Sequence, residues 1–118
     1  MGWGILAIFL EVHKEPIMTV TVEVHGTVAS INLSGNVDYS SQEDIRNANR
    51  QALSNLQVRE IQVNCAELTF LDSSVIRALL ILKKEADEGG KSLVLLNCNE
   101  NTREVFEIGG FDRMFTFR

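Results

Sequence analysis

The run Leu71-Asp72-Ser73-Ser74 holds the side chains best suited to chemistry in this sequence, a carboxylate followed by two hydroxyls. A strand-like segment precedes the run and a long apolar helix pattern follows it, so the serines stand where a helix begins. A serine in that place can simply cap the helix, which contributes about 1 kcal/mol. It can also carry a phosphate, whose roughly −1.5 to −2 charges can switch a protein interface. The residue types therefore leave two alternatives, a cap and a charge switch.

Residues that commonly support enzymatic or metal chemistry are scarce or badly placed. His13 lies in the N-terminal segment and His25 in a predicted hairpin turn, and no Gly-x-Ser-x-Gly elbow is present. Cys65 and Cys98 each end a strand-like run without a Cys-x-x-Cys pair, so we expect two half-buried thiols. Their pairing in a disulfide stays open. No phosphate-binding loop or dinucleotide motif occurs, and we predict no enzymatic activity, no metal and no cofactor.

The composition is that of one globular domain. The chain has 118 residues, of which 45% are hydrophobic and 23% are charged, enough to bury a core. Acidic residues outnumber basic ones by 16 to 11, giving a net charge of −5. Because nucleic acid demands a positive surface, the balance argues against a nucleic-acid partner. It suits a cytoplasmic domain that binds other proteins.

Hydrophobic patterning predicts an α/β fold in which an N-terminal hairpin joins a mixed sheet. Residues 19–24 and 28–33 alternate with period two on either side of His25-Gly26, as two antiparallel strands do. Later strands alternate with helices, and such crossovers place strands parallel with helices against the sheet. The predicted order is β-β-α-β-α-β-α-β. Strands are expected at 58–65, 93–96 and 114–117, helices end near 56, 88 and 108, and breaks are expected at 34–36 and 66–72.

The helix after the two serines carries more apolar surface than one sheet face needs. Val75, Leu79, Leu82 and Ala86 form its inward stripe at 100° per residue. Ile81 falls on the outer side, near Arg77, Lys84 and Glu88 in helical projection. An exposed isoleucine beside an arginine is typical of a protein-binding patch.

The first 17 residues form an extension to which we assign no function. Met1 to Leu10 is almost wholly apolar but shorter than the roughly 20 residues of a membrane-spanning helix. It also lacks the basic residues and cleavage site of a secretory signal. Residues 1–17 could be an arm that docks on the domain, an interface segment, or the result of a misplaced start with Met18 as the first residue. The domain itself is expected at residues 18–118, with no membrane span.

Residues 18–117 resemble a STAS domain, the fold of bacterial anti-sigma factor antagonists. Three segments carry the resemblance: Leu33 to Asp38, where a Gly is followed by an Asp; Leu68 to Ser74, with its Asp-Ser-Ser; and Asn101 to Phe111. The middle segment is the most specific, because it matches the phosphorylation site of the antagonists. The last is mostly hydrophobic pattern.

The resemblance implies a phosphorylation switch at Ser73. In antagonists, the Ser after the Asp is phosphorylated by a partner that is both an anti-sigma factor and a serine kinase. The unphosphorylated antagonist binds that partner and frees the sigma factor, and phosphorylation abolishes the binding. The strand-two acid of the family, near the phosphorylation site, corresponds to Asp38. The predicted partner-binding residues are Asp38, Asp72, Ser73, Ser74, Arg77 and Ile81.

The sequence departs from the antagonist pattern directly after the serines. The family usually continues with Gly-Leu-Gly or similar, whereas this chain has Val75-Ile76-Arg77. Arg77 adds a cation that could pair with a phosphate on Ser73 or contact an acidic partner. Two alternatives therefore stay open: a stressosome-type or other scaffold that binds further STAS proteins, and a ligand-sensing or lipid-transport accessory module. A weak homodimer is also compatible with the family.

Overall fold

A computed structural model describes residues 19–37 and 41–118 of the chain. In this part, five strands form one sheet in the order β1-β2-β3-β4-β5, with β1 antiparallel to β2 and the other neighbours parallel. The strands are β1 (Thr19–His25), β2 (Val28–Val37), β3 (Glu60–Leu71), β4 (Ser92–Leu96) and β5 (Thr116–Phe117). The helices are α1 (Gln42–Ser54), α2 (Ser73–Glu88) and α3 (Glu100–Ile108), and a short 3-10 helix spans Asp112–Met114. The predicted α/β fold and order of elements are confirmed.

One face of the sheet is packed against the helices. In β3, Ile61, Val63 and Cys65 are buried, while Gln62 and Asn64 between them are half-buried. Val63 is aligned with Ile31 of β2 and Leu95 of β4, so the buried side chains form a continuous row across the sheet. The strands therefore offer α1 and α2 a flat apolar surface, and the alternation follows from their period-two geometry.

The inward stripe predicted for α2 packs on this surface. The four residues of the stripe are all buried, and Ile76 is buried beside them. Within the described residues, no helix combines the length and the apolar character needed to cross a membrane.

Strands β2 and β3 both run further than the sequence predicts. The expected breaks at 34–36 and 66–72 were wrong, because β2 continues to Val37 and β3 continues to Leu71. Between Asn32 and Ser34, and again between Gly35 and Asn36, the register shifts by an extra residue on β3. Such bulges bend a strand without ending it. Gly35, with φ of 79°, adopts a backbone conformation that glycine tolerates readily.

Helix α1 ends earlier than expected. It stops at Ser54, and Leu56, predicted on its apolar stripe, is 89% exposed. Ile45, Ala48 and Ala52 are buried as predicted. The stripe is thus shorter by one turn, and the chain turns towards β3 at Asn55, whose backbone is extended.

The two cysteines are free thiols that differ in environment. Cys65 is buried in β3, and Cys98 is half-buried after β4. A hydrogen bond with Cys98, together with burial, raises the pKa of the Cys65 thiol. The same hydrogen bond, with help from Arg103, lowers the pKa of Cys98.

We expect iodoacetamide to modify Cys98 several-fold faster than Cys65. The thiolate is the reactive species, and a lowered pKa means that it forms at Cys98 at a lower pH than in an ordinary thiol. Mass spectrometry of the alkylated peptides over a pH series measures both rates. The variant Cys65→Ala removes the hydrogen bond between the two thiols, so it should move the reaction at Cys98 to a higher pH. Equal rates at the two thiols throughout the series would contradict the prediction.

Candidate functional site

The site lies where the carboxyl ends of β2 and β3 meet the start of α2. Val37 and Leu71 are the last pair of the two parallel strands, and the backbone N–H of Asp72 donates to the Val37 carbonyl over 3.4 Å. Thr69 Oγ1 donates to Asn36 Oδ1 over 2.7 Å. These contacts hold the ends of the two strands together, so they fix the point from which α2 begins.

Asp72 is the cap of α2. Its Oδ1 accepts hydrogen bonds from the backbone N–H groups of Ser74 (2.9 Å) and Val75 (3.3 Å). The hydroxyl of Ser74 donates to the same oxygen. The extended backbone of Asp72, with ψ of 174°, is typical of an N-cap residue. The alternative in which Ser73 caps the helix is therefore wrong, and the carboxylate has that role.

The two serines differ in what they contact. Ser73 is exposed, and within the described residues its hydroxyl makes no hydrogen bond. Ser74 is half-buried, its hydroxyl is bound to Asp72, and its carbonyl accepts a 2.9 Å hydrogen bond from Gln42 Nε2. Because Ser74 is engaged in the structure, Ser73 is the hydroxyl that a partner can reach.

A shallow groove between α1 and α2 opens beside Ser73. It has a volume of about 490 Å³ and is lined by Gln42, Arg46, Ser73, Ser74, Arg77, Ala78 and Ile81. A second depression of about 410 Å³ shares Arg46 and Ile81 with it and adds Arg50. Three arginines and one acidic residue, Glu85, line these depressions in a chain whose net charge is −5. Such a surface favours acidic groups.

Two exposed apolar side chains lie in this part of the molecule, Ile81 in the lining of both depressions and Phe70 two residues before the cap of α2. Ile81 is 52% exposed, as the helical pattern predicts, and Phe70 at the end of β3 is 53% exposed. The exposure of Phe70 could not be predicted from the sequence, because the bulge in β3 opposite Gly35 breaks the alternation that would place it. Large apolar residues in contact with water next to charged ones are common in protein-binding surfaces.

The structure brings together five of the six residues predicted for partner binding. Asp72, Ser73, Ser74, Arg77 and Ile81 all lie at the start of α2 or on its outer side. Asp38 falls outside the described residues, and its role stays a prediction.

Sequence reasoning did not find Gln42 and Arg46 of α1, which line the same groove. Their spacing of four residues on a helix was a signal that both lie on one face. What the sequence lacked was the information that this face meets α2. Within residues 19–37 and 41–118, no three His, Cys, Asp or Glu side chains come close enough to hold a metal ion.

We expect Asp72→Ala to lower the free energy of unfolding by about 1 kcal/mol, the usual cost of removing a helix cap. The N–H groups of Ser74 and Val75 lose their acceptor in this variant. Urea denaturation measures the change. The matched control is Glu67→Ala, which replaces an exposed acidic residue on β3. This variant should change the free energy of unfolding by less than about 0.5 kcal/mol. Equal effects of the two substitutions would mean that Asp72 does not stabilise α2.

The fold agrees with that of known proteins. The STAS domain family model matches residues 19–118, and the chain belongs to this family. A STAS-domain containing protein of Pseudomonas aeruginosa is 26% identical over 98 residues, which cover 83% of this chain and 95% of the relative.

Solved structures show the same architecture. The Bacillus cell fate determinant SpoIIAA in its phosphorylated form is 27% identical, with a TM-score of 0.66, over 85% of this chain and 91% of that protein. The anti-sigma factor antagonist SpoIIAA in its unphosphorylated form is 24% identical, with a TM-score of 0.69, over 85% of this chain and 88% of that protein. An RsbS protein of Moorella thermoacetica shares the fold at 15% identity, with a TM-score of 0.71, over 84% and 85%.

Proposed function

We propose that the protein is an anti-sigma factor antagonist whose binding to its partner is switched by phosphorylation of Ser73. The observation that carries the proposal is that three neighbouring side chains at the start of α2 make different contacts. Asp72 caps the helix and Ser74 is bound to it, while Ser73 is exposed and makes no hydrogen bond within the described residues. The likeness to SpoIIAA, which is known in phosphorylated and unphosphorylated forms, supports this assignment.

In this proposal the partner supplies the chemistry. A serine kinase that is also the anti-sigma factor transfers the γ-phosphoryl group of ATP to Ser73. A bond forms between Oγ and phosphorus, the bond from phosphorus to ADP breaks, and the hydroxyl proton is released. The chain has to offer only a reachable hydroxyl and a surface that fits the kinase. It therefore acts in the cytoplasm as a binding module and not as an enzyme.

The surface beside Ser73 suits such a switch. Phe70 and Ile81 offer exposed apolar contact area, and Arg77 offers a cation. A phosphate in the middle of this surface would have to lose its water when the partner binds. Desolvating an unpaired charge in an interface costs several kcal/mol, which is enough to release a partner.

Of the departures from the family pattern after the serines, only one reaches this surface. Val75 takes the place of a glycine and Ile76 that of a leucine of similar size, and both are buried in the core. Arg77 takes the place of the second glycine and is exposed. The bulk of Val75 is thus kept away from a kinase that approaches Ser73, whereas Arg77 is part of the surface that the kinase meets.

The experiment is phosphorylation of the purified protein by the serine-kinase anti-sigma factors of its own host with radiolabelled ATP. We expect label on the wild type and on Ser74→Ala, and none on Ser73→Ala. Because the Ser73 side chain is exposed and makes no hydrogen bond within residues 19–37 and 41–118, its replacement should leave the fold intact, which circular dichroism checks. Equal labelling of Ser73→Ala and wild type would refute the proposal.

The second candidate is a scaffold that assembles with other STAS proteins without acting on a sigma factor. The exposed Phe70 and Ile81 favour it, because apolar contact area serves a second STAS domain as well as a kinase. Light scattering separates the two functions. Large stable assemblies that do not change on phosphorylation would favour the scaffold, and a monomer would count against it.

A further inference from the structure

We infer that Arg46 of α1 and Arg77 of α2 form a binding site for the phosphate group carried by Ser73. In the phosphorylated protein, the dianion would then be clamped inside the groove between the two helices. The inference rests on the proposed phosphorylation of Ser73, but the geometry does not depend on which kinase supplies the phosphate.

The backbone of α2 is poorly placed to hold this phosphate. Free N–H groups at a helix N-terminus usually attract anions. Here the N–H groups of Ser74 and Val75 already donate to the Asp72 carboxylate. The N–H of Ile76 donates to the Asp72 carbonyl. A phosphate on Ser73 would also adjoin the negative charge of Asp72, so its own charge has to be balanced by side chains.

Helix geometry directs two arginines to the same place. Arg77 is four residues after Ser73 on α2, and Arg46 is four residues after Gln42 on α1, so each pair shares one helix face. The hydrogen bond from Gln42 Nε2 to the Ser74 carbonyl joins the first turns of the two helices. Arg46 is therefore held opposite the first turns of α2. All of these residues line the same groove of about 490 Å³.

Both arginines are available to bind an anion. Arg46 and Arg77 are exposed, and neither forms a salt bridge with any residue in the described ranges. A guanidinium group can donate two parallel hydrogen bonds to phosphate oxygens. The acidic residues in the first turn of α1, Glu43 and Asp44, do not line the groove. Within the described residues, the acidic groups nearest to the clamp are Asp72 at the start of α2 and Glu85, which lines the second depression together with Arg46.

The clamp changes how phosphorylation acts on a partner. The unphosphorylated protein presents an open groove and two arginines that form no salt bridge with the part of the chain that the structure describes. A phosphorylated one presents a groove that is filled, with both cations neutralised. Release of a partner would then follow from the loss of this cationic surface.

The test is a ³¹P NMR titration of the full chain with phosphoserine placed at position 73 by genetic-code expansion, which needs neither kinase nor partner. The second pKa of free phosphoserine is about 6, and two nearby cations should lower it by about one pH unit. Arg46→Gln and Arg77→Gln should each raise it again. The matched control is Arg59→Gln, which replaces an exposed arginine directly before β3, at the end of that strand far from Ser73. This variant should leave the second pKa of the phosphate unchanged.

Three results would overturn the clamp. The first is a second pKa of the phosphate equal to that of phosphoserine in an unfolded peptide. The second is a lowered pKa that neither Arg46→Gln nor Arg77→Gln changes, and the third is a lowered pKa that only Arg77→Gln changes. The second result would assign the effect to the helix backbone and the third to a local pair on α2. Failure of the clamp would leave the kinase experiment unaffected. Conversely, failure of that experiment would leave the titration readable.

Discussion

Ser73→Asp is expected to weaken binding of the partner by on the order of 100-fold, or about 3 kcal/mol. The substitution places a negative charge on an exposed position that lines the groove. When the interface closes, that charge loses water, and the nearby Asp72 adds to the unfavourable field. Isothermal titration calorimetry with the host's anti-sigma factor measures the change in Kd.

Two further variants at the same position separate charge from size. Ser73→Ala should bind about as tightly as wild type, because the hydroxyl makes no hydrogen bond within the described residues. Ser73→Asn has nearly the shape of Asp without its charge, so it should lose much less affinity. If Ser73→Asn is as weak as Ser73→Asp, the effect is steric and the charge switch is wrong.

Phe106→Ala is expected to lower the free energy of unfolding by roughly 3–5 kcal/mol, the usual cost of emptying a buried aromatic position. Phe106 of α3 is fully buried and holds the end of the chain against the sheet. Its ring meets Phe115 edge to face at 5.3 Å and Phe117 at 5.4 Å. Because a domain of this size has about 5–15 kcal/mol of total stability, the variant should be close to unfolding at 37 °C. Urea denaturation followed by circular dichroism measures the loss.

The same helix offers a matched control. Ile108 is 80% exposed, so Ile108→Ala should change stability by less than about 0.5 kcal/mol. Phe106→Leu keeps most of the buried volume and should cost less than Phe106→Ala. Similar values for Phe106→Ala and Ile108→Ala would show that α3 and β5 contribute little to the fold.

The order of the elements could be predicted from the sequence because it depends on local periodicity. The alternation at 19–24 and the stripe of Val75, Leu79, Leu82 and Ala86 each report a single element and the face that it buries. The ends of β2 and β3 could not be predicted in the same way. They depend on bulges between two strands distant in sequence, and Ser34-Gly35-Asn36 has the composition of a turn. The capping role of Asp72 was missed for a similar reason, since it depends on the backbone conformation at the end of β3.

The residues that α2 contributes to the candidate site could be predicted from the sequence, and those that α1 contributes could not. Asp72, Ser73, Arg77 and Ile81 are close in sequence, so one helix pattern places them. Arg46 reaches the same groove only through packing of α1 on α2, and the hydrogen bond from Gln42 to the Ser74 carbonyl is a contact between residues 32 positions apart. No local pattern reports such a contact.

The central claim is that the charge on Ser73 controls transcription through a protein partner. Its most direct test replaces the codon of Ser73 in the host chromosome by that of Ala or of Asp and compares the transcripts of the two strains with wild type. We predict that one set of genes responds in both strains and in opposite directions, rising in Ser73→Ala, where the antagonist is always able to bind, and falling in Ser73→Asp. Transcript profiles that are the same in the two variants, with both proteins present at normal levels, would contradict the account.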